Sequence, residues 1–259
     1  YFRRNYKKKI KEIDLDKKVI SLNEIKKLIT KKNFNFKKQL DKFTLQKKIA
    51  IIAEVKKASP SKGVFLEKFD HLQIAKEYIK AGAACLSILT EKNYFLGNKQ
   101  YLKDIKSKTN LPILCKDFFI DPYQVYEAAL LGADCILILL KSTNDKLTKS
   151  LYEASLECGM DSIIEVHDEH EMQIALKYKD AIIGINNRNL ETFETDINTT
   201  VNIFNKFDLK NRTIICESGI NTKTDINFIM EKTGISNFLI GESLIKSDSI
   251  FDKLVELNS

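Results

Sequence analysis

The chain has 259 residues, of which 44% are hydrophobic and 30% are charged, and its formal net charge is +7. This length is close to the roughly 250 residues of a single (β/α)8 barrel and leaves little room for several large domains. No apolar run approaches the ~18 residues of a membrane span and no leader-like segment opens the chain, so we expect a cytoplasmic protein with no membrane partner. Because the first residue is Tyr1 instead of Met, we expect the true start to be missing.

The positive charge comes mainly from lysines spread along the chain and from a basic start, Arg3, Arg4 and Lys7 to Lys9. Aromatic residues are not interleaved with these charges as in a nucleic-acid site, so we expect solvated surface charge and no nucleic-acid partner. A basic nucleic-acid-binding module is the alternative outside enzymology. Five cysteines without a CxxC pair and three histidines without ligand-like spacing predict reduced thiols and no metal.

Residues 1–48 carry apolar side chains at helical spacing, among them Ile20, Ile25 and Leu28. The segment is too short and too rich in lysine to hold a core of its own. We therefore predict an N-terminal helical extension that packs on the following domain.

From residue 49 to residue 259, short apolar runs alternate with amphipathic segments. The runs are roughly 49–55, 84–89, 112–116, 135–140, 162–166, 181–186, 213–217 and 237–241. Several are apolar at successive positions, which is typical of strands buried on both faces of a parallel sheet. The best-defined helix follows Asp121-Pro122, a cap and first-turn signal, and ends at Gly132. Eight such repeats predict the α/β class and closure into a single (β/α)8 barrel, with the catalytic domain at 49–259.

Charged side chains end several of these runs, where the carboxyl ends of parallel strands converge on one face of a barrel. Glu54 and Lys56 alternate to the same face of the first run, and a simple salt bridge is the alternative interpretation. Lys116 ends the third run, and an ammonium group near apolar walls loses hydration. We therefore expect a lowered pKa and a general-acid role for Lys116, with a snorkelling lysine as the alternative.

The later strand ends carry Glu165 and Asn186, which can move protons and fix a polar substrate group, respectively. His167 stands beside Asp168 and is interpreted as a capping or surface residue. The last two turns read Glu217-Ser218-Gly219-Ile220 and Gly241-Glu242-Ser243-Leu244. Their glycines and exposed amides predict a phosphate cradle, with turn geometry alone as the alternative.

These segments resemble the indole-3-glycerol-phosphate synthase family, a cofactor-free barrel enzyme of tryptophan biosynthesis. The similarity spans about residue 34 to the C-terminus, and the matching segments are 54–63, 90–95, 114–118 with 121–124, 184–190, 217–220 and 239–241. The resemblance implies conversion of 1-(2-carboxyphenylamino)-1-deoxyribulose 5-phosphate to indole-3-glycerol phosphate, with release of carbon dioxide and water. It also implies a small phosphorylated substrate as the partner, and association with other enzymes of the pathway as a further possibility.

Carried over residue by residue, the resemblance implies Lys116 as general acid, with Lys56, held by Glu54, on the substrate carboxylate. It implies Glu165 in the loss of water. It further implies that the intermediate is oriented by Asn186, Glu217 and Ser218, that phosphate lies on amides around Gly219, Gly241 and Glu242, and that the remaining lining is Ser59, Phe95, Phe118, Arg188 and Leu190. Some family members carry a small hydroxyl residue in place of Glu242, so we expect its anionic side chain to turn outward, away from the phosphate.

Two other enzyme classes fit a barrel with lysines at its mouth. A Schiff-base aldolase or lyase on a phosphate-binding barrel is the stronger rival, because Lys116 or Lys56 can attack a carbonyl group. A phosphoribosylanthranilate isomerase is the weaker one, since the chain is too short to hold a second barrel beside the first.

Overall fold

Eight parallel strands pair side by side and close into a barrel within residues 2–259, the part of the chain that the computed structural model describes. They are β1 (Ala50–Val55), β2 (Cys85–Leu89), β3 (Ile113–Lys116), β4 (Cys135–Leu139), β5 (Asp161–Val166), β6 (Ile182–Asn186), β7 (Ile214–Glu217) and β8 (Asn237–Ile240). Strand β1 pairs with both β2 and β8, which completes the ring. The (β/α)8 TIM-barrel prediction is confirmed.

Helices precede and alternate with these strands. They are α1 (Phe2–Val19), α2 (Leu22–Leu28), α3 (Asn35–Leu45), α4 (His71–Lys80), α5 (Lys99–Lys106), α6 (Pro122–Leu131), α7 (Asp145–Cys158), α8 (Glu169–Ala175), α9 (Asn198–Phe204), α10 (Lys223–Thr233), α11 (Glu242–Ile245) and α12 (Ile250–Asn258). As predicted, Asp121 caps α6 by accepting the Tyr123 N–H at 2.8 Å, and Gly132 ends the helix at a φ of 102°. Side chains are described from Tyr6 onward, so Arg3 and Arg4 of the basic start lie outside the described side chains.

Helix α3 covers the end of the barrel where the strands begin. Its Phe36 and Leu40 are fully buried against inward-facing residues of the barrel, including Ile52. Two polar contacts fix the helix there: Asp161 accepts the Lys37 N–H at 2.9 Å, and Thr213 donates its hydroxyl to Asp41 at 2.7 Å. The closed end leaves the opposite end, where the strands finish, as the open mouth.

Helix α1 contacts that open mouth. The ammonium group of Lys9 is buried, and its Nζ lies 2.7 Å from Oδ1 of Asp117, directly after the last residue of β3. Asp117 also accepts the Thr90 hydroxyl at 2.8 Å. The N-terminal helices therefore contact both ends of the barrel.

The five cysteines are free and buried, and burial raises the pKa of the Cys115 thiol to about 12. In the described part of the chain, no helix combines the length and the apolar character needed to cross a membrane.

Candidate active site

A cavity of about 800 Å³ opens at the carboxyl ends of the strands. Leu137, Leu139 and Leu239 contribute apolar lining, while charged side chains from separate strands approach one another above them. Every sequence-predicted site residue lines this cavity except Glu217, which lies beneath its surface with only 1% of its area exposed. The conjecture that these distant residues share one cavity is therefore correct.

Glu54 bridges the two lysines. Its Oε1 lies 2.6 Å from Nζ of Lys56, and its Oε2 lies 3.0 Å from Nζ of Lys116. Burial opposes ionisation of Glu54, but the ammonium groups of Lys116 and Lys56 outweigh it and lower its pKa to about 2. Gly241 makes room for this carboxylate, since a Cβ there would lie 2.6 Å from Oε1 of Glu54.

Lys116 is surrounded by acidic side chains. Its Nζ lies 3.5 Å from Oε2 of Glu217 in addition to its contact with Glu54. Burial alone would lower the pKa of Lys116, but the neighbouring acids outweigh it, Glu54 foremost, with Glu165 and with Glu217 whenever that group is ionised, and they raise the pKa above its ordinary value. The predicted lowering of the Lys116 pKa is wrong, because the prediction considered the apolar surroundings of the ammonium group and not the three nearby acids. At neutral pH the residue is an ammonium ion.

Glu217 is held inside the wall of the barrel. A Cβ on Gly184 would lie 2.0 Å from Oε1 of Glu217, so the bare backbone of β6 is what leaves space for the carboxyl group. Burial and the charges of Glu165 and Glu54, opposed by Lys116, raise the pKa of Glu217 to about 8. The group therefore holds a proton at neutral pH.

Two side chains, the neutral amide of Asn186 and the imidazole of His167, lie beside the same carboxylate oxygen of Glu165. Asn186 donates its amide to Oε1 at 2.8 Å, and Nε2 of His167 lies 3.2 Å from that atom. Burial raises the pKa of Glu165, but His167, Lys116 and Asn186 together lower it. The interpretation of His167 as a capping or surface residue is wrong: its side chain is 5% exposed, and alternation along β5 carries it inward after Glu165.

The two glycine-containing turns after β7 and β8 lie side by side. Ser218 and Gly219 both adopt positive φ, 66° and 81°, and the hydroxyl of Ser243 donates to the carbonyl of Ile220 at 2.8 Å. Ser218, Gly219 and Gly241 all line the cavity. The turns predicted to hold phosphate are thus joined at one side of the cavity.

Glu242 does not turn outward, contrary to expectation. Its Oε2 lies 3.2 Å from Nη2 of Arg188, and its Oε1 accepts a hydrogen bond from Nζ of Lys246 at 2.8 Å. Burial raises the pKa of Glu242, but Lys246, Arg188 and Lys56 outweigh it and lower the pKa. Arg188 lines the cavity together with Glu242, and Lys246, which was not singled out from the sequence, is 46% exposed, so the carboxylate is held between a cavity residue and a surface residue.

A buried acid orders the aromatic side of the cavity. The carboxylate of Glu91 accepts the N–H groups of Asn93, Tyr94 and Phe95 at 2.9, 2.7 and 3.1 Å. The Phe95 ring consequently stands 6.2 Å from the ring of Phe118, centroid to centroid. Sequence reasoning missed Glu91, whose only signal was its place in the 90–95 segment.

The arrangement combines an ammonium ion, an ionised carboxylate and a protonated carboxyl group in one partly apolar cavity. Such a set can donate a proton to a developing alkoxide and accept a proton elsewhere on the same substrate. Across the described residues, no three His, Cys, Asp or Glu side chains are grouped in a way that suits a metal ion.

Comparison with known proteins gives a consistent result. The family model described as indole-3-glycerol phosphate synthase matches residues 2–257. A protein of that name from Thermoanaerobacter sp. (strain X514) is 44% identical over 197 residues, covering 76% of this chain and 75% of its own length. Another, from Legionella pneumophila (strain Paris), is 45% identical over 200 residues, covering 77% of both chains.

A solved structure is similar in fold alone. A monomeric form of phosphoribosylanthranilate isomerase from Thermotoga maritima has a TM-score of 0.57 and 11% sequence identity. The match covers 81% of this chain and 96% of that one.

Proposed function

We propose, since the chain belongs to the indole-3-glycerol phosphate synthase family, that its cavity performs the reaction of that family on 1-(2-carboxyphenylamino)-1-deoxyribulose 5-phosphate. The chain is a carboxy-lyase of tryptophan biosynthesis. The observation that carries the proposal is the contact of Lys116 with two acids, 3.0 Å from Glu54 and 3.5 Å from Glu217, inside the cavity.

Lys116 acts as the general acid in ring closure. The aromatic carbon that bears the carboxylate attacks the ketone carbon of the substrate, and the ketone oxygen takes a proton from the ammonium group. The carboxylates around Lys116 keep its amine protonated, so at neutral pH the general acid carries the proton that it donates. An ammonium ion in a cavity with little water also stabilises the growing negative charge on oxygen.

Lys56 binds the substrate carboxylate, with Glu54 holding the ammonium group in place at 2.6 Å. Loss of this carboxylate as carbon dioxide restores the aromatic ring that the attack interrupted. The ion pair between Lys56 and this carboxylate helps to bind the substrate. It is lost when carbon dioxide leaves, so it does not hold the product in the cavity.

Glu165 acts in the final dehydration. It accepts a proton from the intermediate, while Lys56 supplies a proton to the departing hydroxyl group, so water leaves and the indole double bond forms. The lowered pKa of Glu165 keeps it ionised and ready to accept. Asn186 and Ser218 orient the intermediate directly, and Glu217, which lies beneath the cavity surface, does so through its contact with Lys116.

The phosphate binds to backbone amides around Gly219, Gly241 and Glu242, with Arg188 beside them. Ser59, Phe95, Phe118 and Leu190 line the remainder of the substrate site, and all four line the cavity. The contact of Glu242 with Arg188 and Lys246 offsets the repulsion that its carboxylate would exert on a phosphate.

We further propose that residues 1–48 act as an extension of a single catalytic domain at 49–259 and that the reaction needs no cofactor. We place the protein in the cytoplasm and propose association with other tryptophan-pathway enzymes.

The decisive experiment is a fluorescence assay for the indole product with the carboxyphenylamino substrate. Borohydride added with the substrate separates the proposal from the Schiff-base alternative, since only an aldolase or lyase of that kind gives a trapped lysine adduct. The raised pKa of Lys116 favours proton transfer, because a Schiff base requires the neutral amine. A lysine adduct, or no indole product, would overturn the proposal.

A further inference from the structure

His167 lies between two carboxylates in the wall of the barrel. Its Nε2 is 3.2 Å from Oε1 of Glu165, and its Nδ1 is 3.2 Å from Oε2 of Glu171. The histidine and Glu171 side chains are 5% and 10% exposed. Water therefore has little access to either contact.

The position of the ring between two acids favours its charged form, since Nδ1 is hydrogen-bonded to Glu171 and Nε2 lies at ion-pair distance from Glu165. A carboxylate only accepts hydrogen bonds, and a neutral imidazole has an N–H on one nitrogen and a lone pair on the other. In the neutral form one ring nitrogen would have no proton, and its lone pair would lie beside the negatively charged oxygen of Glu165 or of Glu171. Burial favours the neutral ring, but Glu165 and Glu171 outweigh it and raise the pKa of His167 to about 9.

Residues next to His167 in the sequence fix the position of Glu171. Asp168 caps α8 by accepting the N–H of Glu171 at 2.9 Å, and the Glu171 side chain folds back to accept the backbone N–H of His167 at 2.8 Å. Glu171 is thus tied to the main chain of the residue whose ring it contacts. The ring places Nδ1 on Glu171 and turns Nε2 to the side of Glu165, where it lies within ion-pair distance of Oε1 without the alignment of a hydrogen bond.

The carboxylates beside the ring are those of Glu165 on β5 and Glu171 on α8, and the charge of His167 in turn lowers the pKa of Glu217 on β7, which still holds its proton at neutral pH. On the cavity side, Lys116 of β3 acts on Glu165, and Asn186 of β6 donates to the same Oε1 that His167 faces. A neutral ring would leave the buried acids with fewer cations to balance them.

We propose that His167 and Glu171 form a positioning pair that holds Glu165 as an oriented carboxylate, with Oε1 hydrogen-bonded by Asn186 and drawn to the charge of His167, and with Oε2 presented to the substrate. The inference rests on the proposed function, in which Glu165 accepts a proton. During dehydration the proton passes from the intermediate to Oε2 of Glu165 and afterwards to water, while His167 keeps both of its ring protons. His167 is therefore a positioning residue, and it does not exchange a proton with the substrate.

The kinetic test compares His167→Asn and Glu171→Gln with the wild type by measuring kcat as a function of pH. Loss of the imidazolium charge should raise the pH at which Glu165 ionises, so the acidic limb should move upward by about one unit or more in His167→Asn. Well below the limb this corresponds to about tenfold lower turnover, or ~1.4 kcal/mol, with recovery at higher pH. Glu171→Gln should move the limb in the same direction by less.

A matched control uses the other histidine–carboxylate contact, where His71 Nε2 lies 2.9 Å from Asp104 on the outer helices. His71→Asn should leave the acidic limb unchanged. Circular dichroism should show that each variant is folded. If turnover falls by the same factor at every pH and the limb does not move, the residue serves packing alone and the inference is wrong.

A second measurement does not depend on catalysis. The chain has three histidines, so nitrogen-15 labelling of histidine gives few ring signals, and the His167→Asn variant identifies those of His167. In the free wild-type protein they should report a doubly protonated ring at pH 7.5, and in Glu171→Gln the ring should lose its proton at lower pH. A neutral His167 ring at pH 7 would overturn the inference. Absence of indole product from the wild type would refute the proposed function, and the ring signals would still decide the state of His167.

Discussion

The carboxylate of Glu54 on β1 spans β2 to reach the ammonium group of Lys116 on β3, with Oε2 and Nζ 3.0 Å apart. Its other oxygen contacts Lys56 at 2.6 Å, so one acid fixes both lysines of the cavity. The acid also favours the charged form of Lys116, because the negative charge of Glu54 raises the pKa of that lysine. The mouth of the barrel thus contains a network in which Glu54, Lys116 and Glu217 shift one another's pKa values.

Replacement of Lys116 by Met should reduce turnover by roughly 10² to 10⁴, the usual loss when a positioned acid is removed. The fold should persist, because Glu54 keeps Lys56 as a partner and Glu217 already holds a proton at neutral pH. The indole fluorescence assay measures the effect, and thermal unfolding checks the fold. Lys149→Met, at a side chain with 70% exposure, is the matched control. Turnover near the wild-type value in Lys116→Met would contradict the assignment.

Replacement of Gly184 by Ala should displace the carboxyl group of Glu217, since the added Cβ would lie 2.0 Å from its Oε1. We expect lower turnover together with a loss of stability of about 1–3 kcal/mol, the usual range for overpacking a buried site. The double variant Gly184→Ala with Glu217→Ala removes the clash. It should be less destabilised than the sum of the two single variants, as measured by urea unfolding. Additive effects would mean that the two residues do not compete for space.

Asp161, at the closed end of the barrel, should make stability depend on pH between about 4 and 6. Burial, opposed by the N–H groups of Lys37 and Phe36, raises its pKa from 3.8 to about 6. The folded state therefore binds its proton more tightly than the unfolded state, and stability falls as pH rises through this window. Relative to Asp161→Asn, the wild type should lose on the order of 2 kcal/mol between pH 4 and pH 7 in urea unfolding. A constant difference across this range would contradict the shift.

Replacement of Glu242 by Gln should strengthen binding of anions. The variant removes a carboxylate that contacts Arg188 at 3.2 Å and Lys246 at 2.8 Å, leaving both cations free to attract the substrate phosphate. We expect the KM and the inhibition constant of inorganic phosphate to fall by up to about fivefold, the size of one partly exposed charge contact. Glu231→Gln, at an exposed helical position, should change neither. A higher KM in Glu242→Gln would indicate that the carboxylate mainly holds Arg188 in place.

The sequence predicted the barrel well, because the evidence for it is local and repeated. Continuous apolar runs such as 135–140 recur with capped helices between them, and a parallel closed sheet follows from the period alone. The residues at the strand ends were also predictable, since alternation along β1 takes Glu54 and Lys56 to the same side. The contacts between residues on different strands, such as Glu54 with Lys116, could be predicted only from the resemblance to a known family.

The charge states of the site were not predictable from the sequence. The pKa of Lys116 is set by three acids on three other strands, and alternation does not specify those distances. His167 was misinterpreted because its neighbour Asp168 has a strong local role as a helix cap, which masked the inward direction of the preceding residue. Glu242 was misplaced because its partner Arg188 comes from a loop between β6 and α9.

Glu217 provides the clearest test of these charge states. Its pKa of about 8 means that the side chain is a neutral acid at pH 7 and becomes a carboxylate as pH rises through 8. A glutamine has nearly the same shape and stays neutral, so Glu217→Gln should keep most of the turnover at pH 7. Between pH 7.5 and 9 the ionisation of Glu217 should change the kcat of the wild type. The Glu217→Gln variant should not show that change. Glu217→Ala, which leaves a cavity beside Lys116 and Gly184, should lose turnover at all pH values. If Glu217→Gln is as inactive at pH 7 as Glu217→Ala, then the group works as a carboxylate, and the burial of Glu217 among Glu165 and Glu54 does not hold its proton.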